Sequence, residues 1–331
     1  SYARLAFKLG QIPRFFSEFE REIELPIANQ ALRNVMPATK GLNSDFEQFA
    51  WSHIFKYIPI SYLEGFPSLL SVAREIRYKP RVIFTANAHV WNELFKIWTA
   101  LACVTNGSKL IVSEHGGSIR PRLDMMDHEE LISYKKVVWG LERFYNHVRL
   151  PSQKILSRSL SFLDKAQFCT IVGLEFPTYG YRCQSGPCSS LILEDFQQKI
   201  NFINLLSSDV FKHFRIRPYP NRGWNLSQRY LELYGPEKID QSTSLLASYN
   251  RAKVIVVTYP QTTFLEAMYS GRPTILLYTE KYWEHETIYD EVIRELCDAS
   301  IVFSCPDKAA EHINRIWCNP MKWWNTPKTM L

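Results

Sequence analysis

The sequence predicts an α/β protein: two successive units of buried strand and helix behind a helical opening segment, with boundaries at 1–80, 81–160 and 161–331. Three observations carry this. Short apolar runs recur at Arg81–Ala86, Lys109–Ser113, Gln167–Leu174, Lys253–Val257 and Thr274–Tyr278, and most are followed by a helical period. The runs are largely continuous rather than alternating, as parallel strands covered on both faces require. At 331 residues and 46% hydrophobic, the chain has material for two ordinary cores.

Charge and cysteine content exclude several classes. With 39 basic against 33 acidic residues the net charge is +6, spread along the chain. That permits anionic substrates or a loose association with an anionic membrane surface, but is too weak for a nucleic-acid partner. Nine Trp, seventeen Tyr and twenty Phe suit carbohydrate contact, although most rings in a chain this size are packed inside. The seven cysteines show no CxxC pairing, and Cys183 and Cys188 have no neighbouring His or Cys to complete a zinc site, so reduced cytosolic thiols are expected. No apolar run reaches the roughly eighteen to twenty residues that cross a bilayer. The opening SYARLAFKLGQIPRFF lacks a signal peptide's uncharged core, and a start at Ser1 leaves room for an upstream segment.

In the opening segment, Asn43 or Ser44 is a plausible N-cap, and Glu47 completes a capping box with Ser44. Phe46, Phe49, Ala50, Ile54 and Phe55 are expected to form the apolar face of that helix, with His53 packed or solvated beside it. A second helix is expected from about Pro67 to Arg77. The Arg81–Ala86 strand then ends in Asn87-Ala88-His89 before a helix from about Trp91 to Val104. Open α/β sheets place ligands at such strand ends. Asn87, His89, Asn92 and Glu93 are therefore either acceptor contacts or the polar first turn of a capped helix.

Lys109–Ser113 runs into Glu114-His115-Gly116-Gly117. Gly116 and Gly117 let the backbone turn sharply and approach a neighbour closely. His115 is a candidate general base or phosphate contact, with Glu114 or Asp124 to orient it; Arg120, Arg122, His128 and Glu129 follow nearby. A purely structural histidine in a turn is the alternative. Lys135–Trp139 closes this half as a short strand, and the weak periodicity of 144–165 reads as a linker.

The second half opens with Gln167–Leu174, a long loop over 175–190 and a helix over 191–206. His213–Pro220 is expected to be a strand with Arg215 and Arg217 on one side, ending in Tyr219, Asn221-Arg222 and Trp224. Arg217 suits a bidentate phosphate contact; a solvated basic edge is the alternative. A short helix over 242–249 precedes KVIVVTYPQTTFLEAMYSGRPTILLYT, which reads as strand, turn, helix and strand. After Thr258, Gln261, Thr262 and Thr263 open a helix whose free N–H groups and positive dipole end would seat a phosphate, with Glu266 one turn in for a ribose. A last strand is expected over 299–304 and a helix over 308–317. The Trp323-Trp324 pair would then be buried by a tail folded back on the first half.

Three blocks carry a resemblance: WNELFKIWTALACVTNGSKLIVSEHGG, RIRPYPNRGW, and VVTYPQTTFLEAMYSGRPTILLY with the closing AAEHINRIWCNPMKWW. They resemble a family of bacterial transferases of surface-carbohydrate biosynthesis. They are also similar, more distantly, to capsule β-Kdo transferases and teichoic-acid glycerophosphotransferases. The resemblance implies a GT-B arrangement, two Rossmann-like domains facing across a cleft, over roughly 81–324. In the capsule enzymes a His-Pro motif holds the nucleotide; here Pro218-Tyr219-Pro220 has Tyr in place of His, so a CMP-linked donor is not carried over. His115-Gly116 matches the His-Gly turn of the teichoic-acid enzymes, without their following Thr-Pro.

The implied function is a cytoplasmic glycosyltransferase, peripheral at the inner face of the membrane. It would use a nucleotide sugar as co-substrate, with no separate cofactor, and a glycan or lipid-linked acceptor. The donor would be held by Arg217, Tyr219, Arg222, Thr258, Gln261, Thr262, Thr263 and Glu266. The acceptor would be held by Asn87, His89, Glu93, Gly116 and Gly117. No metal is required where a helix dipole and arginine stabilise the leaving phosphate. Polyol-phosphate transfer from a CDP-linked donor, and non-catalytic nucleotide or sugar binding, remain the alternatives.

Overall fold

The computed structural model describes residues 18–34, 41, 44–117, 127–152, 166–180 and 186–329. The chain divides into two compact units, Ser1–His115 with Ile132–Val137, and Gly116–Leu131 with Val138–Leu331. The expected boundary at 160/161 lies outside the described residues, as does Cys183. Among the described residues no helix is long and apolar enough to cross a membrane.

The first unit begins with α1 (Gln30–Asn34), α2 (Asp45–Tyr57) and α3 (Phe66–Glu75). Ser44 caps α2 through the expected box: its hydroxyl accepts from Glu47 N at 3.2 Å, and Glu47 Oε2 accepts from Ser44 N at 3.1 Å. The expected apolar face is not buried. Phe46, Phe49 and Ile54 are 75%, 61% and 48% exposed, and no residue of α2 is buried. The helix is held by its end instead. Buried Arg33 donates to the carbonyls of Phe55, Lys56 and Ile58 at 3.1, 3.1 and 2.9 Å, the groups a helix C-terminus leaves without partners. Its other nitrogens bind both oxygens of Glu64 at 2.7 Å.

The first sheet has the order β1-β2-β3-β4, from β1 (Val82–Thr85), β2 (Lys109–Ser113), β3 (Lys135–Val138) and β4 (His147–Arg149). The first three strands are parallel, with Ile83 opposite Leu110 and Ser113 opposite Val137. Between β1 and β2 runs α4 (Glu93–Asn106), which Gly107 ends at φ +66°. Leu69, Ala73, Ile83, Leu94, Trp98 and Val112 make the core. β1 is an edge strand with one face packed, and Val82 and Phe84 stay 42% and 45% exposed rather than buried. β4 occupies part of the expected linker, a strand too short to show a period. Its first residue, His147, accepts from Arg143 N at 3.1 Å and reaches Glu130 of α5 (Asp127–Ile132) at 2.5 Å.

The second unit is built on an all-parallel sheet of order β6-β5-β7-β8-β9. In chain order it contains β5 (Phe168–Val172), α6 (Leu191–Asn204), α7 (Ser208–His213), β6 (Phe214–Arg217), α8 (Leu226–Tyr234) and α9 (Leu245–Arg251). Then come β7 (Ala252–Val257), α10 (Thr262–Tyr269), β8 (Thr274–Leu277) and α11 (Asp290–Asp298). It closes with β9 (Val302–Phe303), α12 (Pro306–Ile316) and α13 (Pro320–Trp324). The strand expected over 213–220 is cut to four residues, because Pro218 has no N–H to donate and the preceding residues coil into α7. Trp324 is buried in the second unit's own core, not against the first half.

Glu64 makes the first unit sensitive to acid. The Arg33 hydrogen bonds hold its carboxyl down to about 2 against the effect of burial, with the Asn29 N–H helping. A folded-state pKa below the unfolded value, about 4.3, means the stabilisation is complete above that value and is lost as pH falls towards about 2. Glu64→Gln is expected to lower the melting temperature at pH 7 and to flatten its decline between pH ~4.5 and ~2. Circular dichroism melts of both proteins across that range check this; parallel curves would refute it.

Candidate active site

In the second unit, Val254–Val257 of β7 are fully buried between β5 and β8, so the chain can turn polar only beyond the strand's carboxyl end. Thr258 is still inside: its N–H and its hydroxyl both donate to Val172 O, at 3.2 and 3.0 Å. It locks β7 to β5 and, at 2% exposure, does not offer its hydroxyl to a ligand as the sequence suggested. Tyr259 is buried beside it, its phenol 2.6 Å from Thr263 Oγ1. Burial pushes that phenol up to about 12, with the Thr263 bond pulling down and Tyr219 and Glu266 adding to the rise. These influences place Tyr219, Tyr259, Thr263 and Glu266 in one neighbourhood.

Gln261 then takes the N-cap of α10 in extended backbone, φ −122° and ψ −166°, and its side chain makes no cap bond. Thr262 and Thr263 form the first turn, half-buried. Thr262 Oγ1 accepts from Gly117 N at 2.6 Å, both residues belonging to the second unit. A Cβ on Gly116 would stand 2.6 Å from the same hydroxyl, which accounts for a glycine there. Gly117 has φ +103°, a conformation glycine adopts without strain. The two glycines thus approach the start of α10 itself.

The neighbouring strand ends are shaped by a residue the sequence reading missed. Glu175, 2% exposed, accepts from the backbone of Arg222 at 2.7 Å, Trp224 at 2.9 Å and Leu226 at 3.3 Å. In the sequence it stands as the first residue of a long loop. The available signal was an acid directly after a buried strand, with a helix start elsewhere needing an acceptor. Thr178 N bonds Arg222 O at 3.1 Å from the other side, and Gly223, at φ +111°, leaves 2.1 Å between a Cβ and Thr178 Oγ1. Arg222 lies 6.0 Å from the Tyr219 ring.

Arg217 is half-buried and donates through Nη1 to Ser242 O. Asp240 stands close by: burial works against its charge, but bonds from Ser242 and Ser248 and the charge of Arg217 hold it below its ordinary value. One arm of the Arg217 fork is therefore committed to the chain. Arg215 packs on the Phe168 ring at 4.5 Å, with Arg251 at 4.8 Å from the same ring. Three donors at this carboxyl edge, Trp224 Nε1, Tyr278 Oη and Trp283 Nε1, are buried without hydrogen-bond partners among the described residues.

The remaining candidates precede β3 in the chain. Asn92 caps α4, accepting from Phe95 N at 2.8 Å and donating to Phe19 O at 2.7 Å. Glu93 pairs with Lys96 at 2.6 Å. Both observations favour the capped-helix alternative there. Asn87 is exposed at the cap of a short helical turn, Ala88–Trp91, and His89 is half-buried within it. Glu114 extends β2 through its N–H to Val137 O at 2.9 Å, and His115 follows, exposed. Glu129 is buried and His128 exposed; Asp124, Arg120 and Arg122 lie outside the described residues.

The model of the LIC12162 family of transferases matches residues 1–330. The chain belongs to that family. The transferase class implied by the sequence resemblance is thereby shown at family level, and this member carries the hydroxyl-lined start of α10 described above. No curated protein matches the chain. Among solved structures it is similar to a Listeria monocytogenes protein assigned as a UDP-N-acetylglucosamine 2-epimerase, with 10% identity, 86% of this chain and 80% of that one covered, and a TM-score of 0.46. It is also similar to the calicheamicin glycosyltransferase CalG4, with 9% identity, 87% and 77% covered and a TM-score of 0.44. A third, OtsA, shows 12% identity, 79% and 70% covered and a TM-score of 0.43.

The stapled loop gives a test of local construction. Gly223→Ala should destabilise the second unit by more than about 1 kcal/mol, through both the positive φ and the Thr178 contact. Gly140→Ala, where a Cβ meets nothing within 4 Å, should change stability by less than about 0.5 kcal/mol. Urea unfolding of the two variants compares them directly, and equal midpoints would contradict the reading.

Proposed function

We propose that this transferase is a GT-B glycosyltransferase that moves a sugar from a nucleotide-sugar donor to a surface-polysaccharide or other glycan acceptor. The observation that carries the proposal is the start of α10. A helix begins at the carboxyl edge of a parallel sheet, and two threonines line its first turn. The first N–H groups of a helix and the positive end of its dipole suit a phosphate there. The three buried unpartnered donors along the same edge also call for a polar ligand.

In this reading the nucleotide phosphates sit against Thr262 and Thr263, with Arg217 and Arg222 adding positive charge and Glu266 taking a ribose hydroxyl. His115 removes the acceptor proton, Glu114 or Asp124 orienting it, as the acceptor oxygen bonds to the anomeric carbon and the carbon–oxygen bond to the phosphate breaks. The helix end and arginine stabilise the departing nucleotide, so no metal is needed. Glycan or lipid-linked acceptors both fit a protein working in the cytoplasm at the inner face of the membrane. The net charge of +6 and the exposed aromatic side chains of α2 support such contact.

His115→Ala is expected to lower turnover by at least about a hundredfold, the low end of what a general base contributes, while nucleotide binding stays within about twofold of wild type. The assay is release of free nucleotide from a panel of UDP, GDP, CMP and CDP sugars with acceptor present, alongside titration of the nucleotide. Wild-type turnover in the variant would remove His115 from the mechanism. Donor binding without nucleotide release by the wild type would leave a binding protein.

A further inference from the structure

The second unit contains another hollow, of about 620 Å³, at the opposite, amino edge of its sheet. The chain reaches this edge at Ser300, just before β9, and again where α12 ends at Ile316, having started at Pro306 on the carboxyl edge. The hollow is thus a helix length away from the start of α10.

His312 lines it and is 3% exposed, its ring 5.3 Å from that of Phe303 and 4.6 Å, edge to face, from Trp323. Arg315 Nη2 lies 3.0 Å from His312 Nδ1. A guanidinium has no lone pair to accept with, so Nδ1 is the acceptor and the neutral ring carries its proton on Nε2. Burial, with the Arg315 charge adding to it, pulls the imidazole down to about 4, which keeps the ring neutral at pH 7. Nε2 is buried with no hydrogen-bond partner among the described residues. An unpartnered donor at this depth is costly, and its position calls for an acceptor.

The rim supplies the complementary charge. Arg315, Lys322 and Lys328 are exposed around the hollow, and Asp298 is the one acidic side chain of its lining. The carboxyl ends of α11 and α12 each add roughly half a negative charge. Three full cations still outweigh one carboxylate and two helix ends. Trp323 gives its indole N–H to Ala299 O at 3.1 Å, so with Ile316 it offers the hollow an apolar wall rather than a further donor.

We propose that this hollow binds a phosphate-bearing ligand, with His312 Nε2–H donating to a phosphate oxygen, the three rim cations supplying charge, and Trp323 covering the attached carbon skeleton. The same chemistry fits a small phosphorylated metabolite or a phospholipid headgroup.

Calorimetric titration with inorganic pyrophosphate and co-sedimentation with phosphatidylglycerol against phosphatidylcholine vesicles separate the two sources. Wild type is expected to bind one of the anionic probes. The exposed double substitution Lys322→Gln/Lys328→Gln, with its melting temperature unchanged, is expected to weaken that binding at least about tenfold, the loss of one charge-assisted hydrogen bond. His312→Phe should weaken it comparably, and Thr262→Val, at the start of α10, should leave it in place. Binding that survives the double substitution, or is lost only in Thr262→Val, overturns the assignment, as does failure of wild type to bind either probe. Because Thr262→Val reports on the donor site alone, the two sites fail separately.

Discussion

A strand paired on both edges and buried on both faces leaves its neighbours little freedom, and β7 is such a strand. Each side chain from Val254 to Val257 is fully buried. Each such burial is worth roughly 1.5–3 kcal/mol, so no register slip that exposed them could compete. The strand's carboxyl end is thereby fixed, and Thr258 fixes it further by bonding across to Val172. Polar chemistry can begin only at Gln261, and it begins there as the first turn of a helix.

From that constraint follow the local features that make the edge chemically useful. Tyr259 is buried and its hydroxyl holds Thr263, so the first turn of α10 cannot swing away from the sheet. Tyr249 bonds Thr263 O at 3.2 Å from beneath. Glu175 draws three backbone N–H groups from the segment after β6 towards the same edge, which sets Arg222 and Trp224 without using their side chains. Gly116 comes up against Thr262, where a Cβ would stand 2.6 Å from its hydroxyl, and Gly117 follows in a left-handed conformation, φ +103°. Positioning a first turn in this way removes the reorganisation a flexible loop would undergo when an anion arrives.

Much of this was legible in residues. The run KVIVV, the stop at Pro260, Gly271 and Pro273 bound strand, helix and strand to within a residue or two of β7, α10 and β8, because steric and propensity signals there agree. Ser44 and Glu47 gave a capping box for the same reason. What could not be read depended on partners distant in sequence. The aromatic face of α2 looks like core, yet the helix is anchored through Arg33 and Glu64, which lie outside it on either side in the sequence. Glu175 and Thr258 are polar residues in apparent loops, and only the fold shows that their bonds go inward. His312 reads as a helix-surface histidine until Phe303 and Trp323 close over it.

The central claim, that the amino end of α10 holds the phosphates of a nucleotide, is tested most directly by amide hydrogen exchange with and without nucleotide diphosphates. Binding at that end should slow exchange at Thr262 and Thr263 more than at the rest of the second unit. A nucleotide that binds while those amides exchange at unchanged rates would place the donor elsewhere and contradict the account.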